Sequence, residues 1–129
     1  PPTTYLMFSF RIFKKSFTYA AKGIAQVFRE EQSFRVQIVV ALLVVVLMFV
    51  FQLRIIEKAI LSLAIVLVLV LELLNSIFER MIDVLQPRIH HYVEEVKDIM
   101  AGVVLVASLG AILIGLLIFW PYVMMVVSS

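Results

Sequence analysis

Cysteine is absent from this 129-residue chain, and glycine occurs only four times. Without cysteine there is no structural disulfide, no thiolate zinc site, no iron–sulfur cluster and no cysteine nucleophile. Charge is scarce too: 16% of residues are charged, against about 25% in an ordinary soluble domain. The formal net charge of +2 is too small to argue for a nucleic-acid partner. What is abundant is apolar, at 64% of residues with a mean hydropathy of +1.11. That balance excludes a soluble single domain, a disordered chain, collagen and a disulfide-stapled mini-protein. The early segment mixes Arg11, Lys14 and Lys15 with aromatics and lacks the long apolar core of a cleavable signal peptide. The chain begins at Pro1-Pro2 rather than methionine, as expected where the first residues are missing.

A helix needs about 20 mostly apolar residues to cross a bilayer. One such run extends from Val36 to Leu53, and a second begins near Ala59 and continues past Glu72. The third begins near Ile99 and ends where Trp120, Pro121 and Tyr122 suggest an interfacial belt and a stop. The expected architecture is an all-α integral membrane protein forming a single domain over residues 1–129. Its spans cover about 34–53, about 57–84 and about 96–121, after an N-terminal amphipathic surface helix over about 5–30. In that first helix Phe10, Phe13, Phe17, Ile24 and Val27/Phe28 recur at intervals of three, four or seven, with basic residues between them. A cap helix packed on the bundle is the alternative. Gly23 within it can serve a bend or a close approach, and the pattern does not separate the two.

Nine of the eleven basic residues fall on one side of these spans: Arg11, Lys14, Lys15, Lys22, Arg29, Arg35, Arg80, Arg88 and Lys97. Only Arg54 and Lys58 lie on the other. Basic residues stay in the cytoplasm, so the N-terminus and the second loop are expected there and the C-terminus outside. His90 and His91 are expected in that second loop, solvated and without a role. In the third span Ala107, Ala111 and Gly115 form a row of small residues that suits close helix packing, within one bundle or between subunits.

Ionisable groups in a membrane span are costly, and they point to function. Glu72, Asn75, Glu79 and Asp83 follow one another on the second span. At about 100° per residue, Glu79 and Asp83 lie about 20° to either side of Glu72, and Asn75 about 60° away. All four project from one stripe near the inner boundary, where Arg29-Glu30-Glu31 and Lys97-Asp98 also converge. Carboxylates and an asparagine suit a hard cation such as Mg²⁺ that arrives with phosphates. A lysine can neutralise a phosphate. A glutamate withdrawn from water can take a proton from a lipid hydroxyl; a neutral acid hydrogen-bonded within the bundle is the plainer use of Glu72. The set fits a kinase with a membrane-embedded acceptor and a cytosolic donor. Yet neither a G-x-x-x-x-G-K-[ST] loop nor a kinase Gly-rich loop is present.

The block Glu72-Leu-Leu-Asn75-Ser76-Ile-Phe-Glu79-Arg-Met-Ile-Asp83, followed by Lys97-Asp98, resembles the small bacterial integral-membrane lipid kinases. These are the diacylglycerol kinases of Gram-negative bacteria and the undecaprenol kinases of Gram-positive bacteria. Lys22-Gly23, Glu31-Gln-Ser-Phe34-Arg35 and the stretch from Gly115 to Pro121 extend the resemblance over nearly the whole chain from about Arg11. It implies a homotrimer of three-span subunits with shared sites, ATP as phosphate donor, Mg²⁺ as cofactor and a membrane lipid as acceptor. It also implies Glu72 as general base and Glu31 and Glu79 as the metal-bridging carboxylates. Asn75 orients reacting groups, Lys97 meets the transferring phosphate and Asp98 helps hold the nucleotide. Lys22 and Asp83 lie near the nucleotide, and Ser76 joins Glu72 at the lipid. The departures are few. Ser33 stands where Gram-positive members often carry Asn. Gln37 stands where they carry His and Gram-negative members Glu. Ile77-Phe78 replaces Ala-Ile. Overall the chain sits nearer the undecaprenol-kinase branch. A small cation-coupled transporter subunit would instead place its carboxylate mid-membrane and have little need of Glu31 or Lys97-Asp98. A non-catalytic adaptor would leave the stripe without a use.

Overall fold

The computed structural model describes residues 8–85 and 90–129. Among them the chain forms four helices and no strand: α1 (Phe10–Glu30), α2 (Gln32–Val50), α3 (Ile55–Leu85) and α4 (His90–Val127). The last three are long and apolar enough to cross a membrane. Pro1-Pro2, Arg88 and the expected start of the first helix near residue 5 lie outside the described residues.

Ser9 caps α1, its hydroxyl accepting a bond from the Ile12 N–H at 3.4 Å. Of the apolar face of α1 only Val27 is buried; Phe10, Phe13 and Phe17 stand exposed, so this chain covers only the end of that face. Helix α1 ends because Glu31 is extended, at φ −118° and ψ 117°, and serves both as C-cap of α1 and N-cap of α2. Arg35, one turn into α2, reaches back with Nη1 to the carbonyls of Phe28 and Arg29, 2.8 Å each. Those carbonyls lack helical partners, so Arg35 locks the corner between α1 and α2.

Helix α2 closes at Val50, three residues short of the expected end at 53. Gln52 adopts φ 53°, the Leu53 N–H bonds the Met48 carbonyl at 3.1 Å, and the Gln52 N–H bonds that of Phe49 at 3.4 Å. This is a Schellman closure, with its accompanying apolar contact between Leu53 and Met48 in a buried cluster that includes Leu61. Phe51, Phe119 and Tyr122 pack on that cluster, Phe51 meeting Phe119 edge-on at 5.9 Å. Helices α3 and α4 pack against each other most extensively, while α1 touches both α2 and α3.

Two sequence expectations need correction. Helix α4 runs through Pro121 to Val127 instead of stopping. Proline removes one backbone donor and crowds the preceding turn, but an apolar helix with no competing water keeps its other bonds. Helix α4 also begins at His90, so His90 and His91 open a helix and are not in a loop. At Gly115, the glycine of the small-residue row, an added Cβ would meet nothing within 4 Å.

Because α2 and α4 both flank α3, an apolar groove of about 480 Å³ opens between them, lined by Val40, Val44, Ile65, Ala111 and Phe119 among others. Gln37 and Val36 stand at one end and Phe51 and Val123 at the other.

Candidate functional site

Glu72 is only 4% exposed although it carries a carboxylate. Two donors from α2 compensate for the lost water. The Ser33 hydroxyl donates to Oε1 at 2.5 Å, and the Gln37 amide donates through Nε2 to Oε2 at 3.3 Å. Ser33 and Gln37 are four residues apart, so they share one face of α2 and meet the same carboxylate. Turning Nε2 toward an acceptor-only carboxylate points Gln37 Oε1 away from it. That oxygen is buried with no partner, on a residue lining the apolar groove.

One turn further along α3, Ser76 is fully buried and donates its hydroxyl to Glu31 Oε2 at 2.5 Å. One turn beyond that, Arg80 donates through Nη1 to Glu31 Oε1 at 3.4 Å and to the Ser76 carbonyl at 3.2 Å. Its Nη2 donates to Glu30 Oε2 at 2.6 Å. The Arg80 guanidinium, with the Gln26 amide beside it, holds the Glu30 carboxyl below the usual carboxylate range. Glu72, Ser76 and Arg80, spaced four apart, thus form a ladder that ties α3 to the corner between α1 and α2.

The remaining expected site residues are less enclosed. Asn75 and Lys97 are half-buried; Glu79, Asp83, Asp98 and Lys22 are exposed. No side chain of the six makes a hydrogen bond or ion pair with another described residue. The stripe read from the sequence therefore divides by depth, with Glu72 dry and engaged and Glu79 and Asp83 open. Ser76, expected beside the lipid, has its hydroxyl engaged by Glu31. No group of three or more His, Asp or Glu side chains converges among the described residues.

The sequence reading gives Arg80 no role beyond its charge, places Glu30 at the inner boundary without a partner, and treats Ser33 and Gln37 only as departures. The four-residue spacing of Glu72, Ser76 and Arg80 was the available signal for the ladder. At the far end of the groove a second cluster appears. The Tyr122 hydroxyl donates to Glu57 Oε1 at 2.5 Å, which also accepts the Arg54 N–H at 3.0 Å and pairs with Arg54 Nε at 3.4 Å. It fastens the start of α3 to the end of α4.

Comparison with known proteins places this arrangement. The prokaryotic diacylglycerol kinase family model matches residues 18–119. The chain is similar to an undecaprenol kinase of Bacillus subtilis (strain 168), at 38% identity over 109 residues, 84% of this chain and 89% of that protein. It is similar to a diacylglycerol kinase of Synechocystis, at 33% identity over 101 residues, 78% of this chain and 58% of that longer protein. A diacylglycerol kinase of Escherichia coli (strain K12) is 28% identical over 108 residues, 84% of this chain and 88% of that protein. The chain belongs to the prokaryotic diacylglycerol kinase family of lipid kinases.

Proposed function

We propose that this protein transfers the γ-phosphate of ATP, in the presence of Mg²⁺, to the hydroxyl of a membrane lipid, undecaprenol or diacylglycerol. The site is at the cytoplasmic face of the bacterial inner membrane. The observation that carries the reading is Glu72, a buried carboxylate fixed by Ser33 and Gln37 beside an apolar groove. A lipid tail suits the groove, and Glu72 then meets the hydroxyl at its polar end. Glu72 takes the hydroxyl proton as the lipid oxygen bonds to the γ-phosphorus, the bond from that phosphorus to the β-phosphate oxygen breaks, and ADP leaves.

The residues fit a metal carried by the nucleotide. Mg²⁺ keeps several waters and needs one or two protein carboxylates beside the phosphates; Glu31 and Glu79 supply hard oxygens, those of Glu79 without a partner among the described residues. When bound, Mg²⁺ neutralises charge on the transferring phosphate. Glu31 and Glu79 would hold it, Ser76 keeps Glu31 oriented, and Asn75 orients reacting groups. Lys97 meets the phosphate, Asp98 holds the nucleotide, and Lys22 and Asp83 lie near it. The acceptor assignment draws on the names of the relatives, which cover both lipids.

The same reading has the N-terminus cytoplasmic and the C-terminus outside, in accord with the distribution of basic residues. Helix α1 lies on the inner leaflet, its uncovered phenylalanines in the lipid and Lys14, Lys15 and Lys22 near anionic headgroups. Three copies assemble with composite sites, and the exposed Glu79 and Asp98 suit neighbouring subunits.

The test is radiolabelled phosphate transfer from Mg-ATP in mixed micelles, with undecaprenol and diacylglycerol offered separately. Labelled lipid in either reaction is expected; folded protein that labels neither overturns the assignment.

A further inference from the structure

Arg80 is the cation nearest the catalytic ladder that no expected role has used. It sits at the junction of α3 with the α1–α2 corner, one residue after Glu79 and one turn after Ser76. A guanidinium carries five N–H donors in a planar fork. Three hydrogen bonds engage Nη1 twice and Nη2 once, on Glu31, the Ser76 carbonyl and Glu30. The Nε–H and one Nη2–H have no acceptor among the described residues, and the side chain is 40% exposed. Two unused donors on one solvent-facing guanidinium suit a tetrahedral oxyanion, which arginine binds bidentately. The contact with Glu31 is long, at 3.4 Å, and Glu30 is itself 53% exposed, so neither confines the guanidinium as a buried pair would.

Electrostatics favours the same exchange. Glu30 and Glu31 set two carboxylates against Arg80, and the phosphates of a nucleotide do not approach carboxylates unaided. A divalent ion held by Glu31 would draw on the same carboxylate and weaken its hold on Arg80, whose bond to Glu31 is already long. The guanidinium is then free to turn its open edge to the phosphates.

We propose that Arg80 is a phosphate-binding residue of the nucleotide site, resting on Glu30 and Glu31 until nucleotide phosphates take their place. The proposal rests on the kinase reading above and adds a residue to it.

The experiment measures equilibrium binding of AMP, ADP and ATP, each with Mg²⁺, to the full-length detergent-solubilised protein and to Arg80→Gln, Arg80→Lys and Glu30→Gln. Arg80→Gln is expected to weaken ADP and ATP binding roughly tenfold while changing AMP little. Arg80→Lys, which keeps charge but not the fork, should fall between. Glu30→Gln, which releases Arg80 from its shorter bond, should bind ATP at least as tightly as wild type. Equal ATP affinity in wild type and Arg80→Gln overturns the proposal and leaves the kinase reading standing. Equal losses for AMP, ADP and ATP overturn it as well, because they mark a folding role. Wild-type protein that binds no nucleotide overturns both.

Discussion

Replacing Ser33 by alanine removes one of the two donors that hold Glu72, and the effect on turnover can be worked from the structure. The Ser33 hydroxyl meets Oε1 at 2.5 Å, while the Gln37 amide at 3.3 Å is the weaker of the two bonds. A hydrogen bond to a charged acceptor contributes about 1.5–3 kcal/mol. Ser33 is itself exposed, so water can partly replace its hydroxyl, and the lower end of that range applies. About 1.5 kcal/mol of lost positioning corresponds to a roughly tenfold fall in kcat. Alanine is a better helix former than serine, but that offsets only part of the lost bond to a buried carboxylate. The unfolding midpoint should therefore fall modestly, and kcat is compared well below it.

The assay is phosphate transfer at saturating lipid, with the nucleotide KM measured in parallel. Glu31 and Glu79 are untouched, so the Mg-ATP KM should hold. Glu72→Gln alone should abolish transfer while sparing nucleotide binding, and adding Ser33→Ala to it should cost nothing further, because residues acting through one group are not additive. Wild-type kcat in Ser33→Ala refutes the reasoning. So does a loss that appears in the nucleotide KM.

Glu79→Gln is expected to raise the Mg-ATP KM roughly tenfold with the lipid KM unchanged, since it removes a charged oxygen ligand and nothing at the base; an unchanged nucleotide KM counts against its metal role. Gln52→Gly should stabilise the protein by about 0.5–1 kcal/mol, because glycine adopts the left-handed φ of 53° without the Cβ penalty; a lowered midpoint in thermal unfolding would show that its side chain matters more than its backbone. Tyr122→Phe removes the hydroxyl that joins α4 to Glu57 and should lower that midpoint while kcat stays near wild type; lost turnover with unchanged stability would assign the far cluster a part in catalysis.

Composition alone was enough for the three spans, because long apolar runs have few alternatives to a membrane crossing. The buried carboxylate was legible for the same reason: Glu72 inside such a run has to be satisfied by something. What satisfies it was not legible. Ser33 and Gln37 lie 39 and 35 residues from Glu72 in the chain, and Arg80 lies 49 from Glu31. Pairings at that range depend on how α2 sits against α3, which periodicity within either helix does not encode. Pro121 misled for a different reason. It ends helices where water can take the freed carbonyl, and apolar surroundings remove that competitor.

The depth of each carboxylate follows from helix length. At 1.5 Å per residue the 31 residues of α3 extend about 46 Å, well beyond a hydrocarbon core of about 30 Å. In the orientation proposed above, and with the outer edge set at Ile55, a core of about 30 Å would end near Asn75, with Glu72 just inside it and Glu79, Arg80 and Asp83 just outside. A base that must meet a lipid hydroxyl has to be where lipid is, and once there it needs fixed donors in place of water; Ser33 and Gln37 fill that need. Groups that receive a hydrated, highly charged nucleotide have to remain in water, where Mg²⁺ can exchange its shell. The seven residues from Glu72 to Glu79 span about 10 Å along one face, enough to cross from one phase to the other without leaving the helix. On the roles proposed above, one helix can therefore carry a dry base and a wet metal ligand about two turns apart, and substitutions at the two levels should separate kcat from nucleotide affinity.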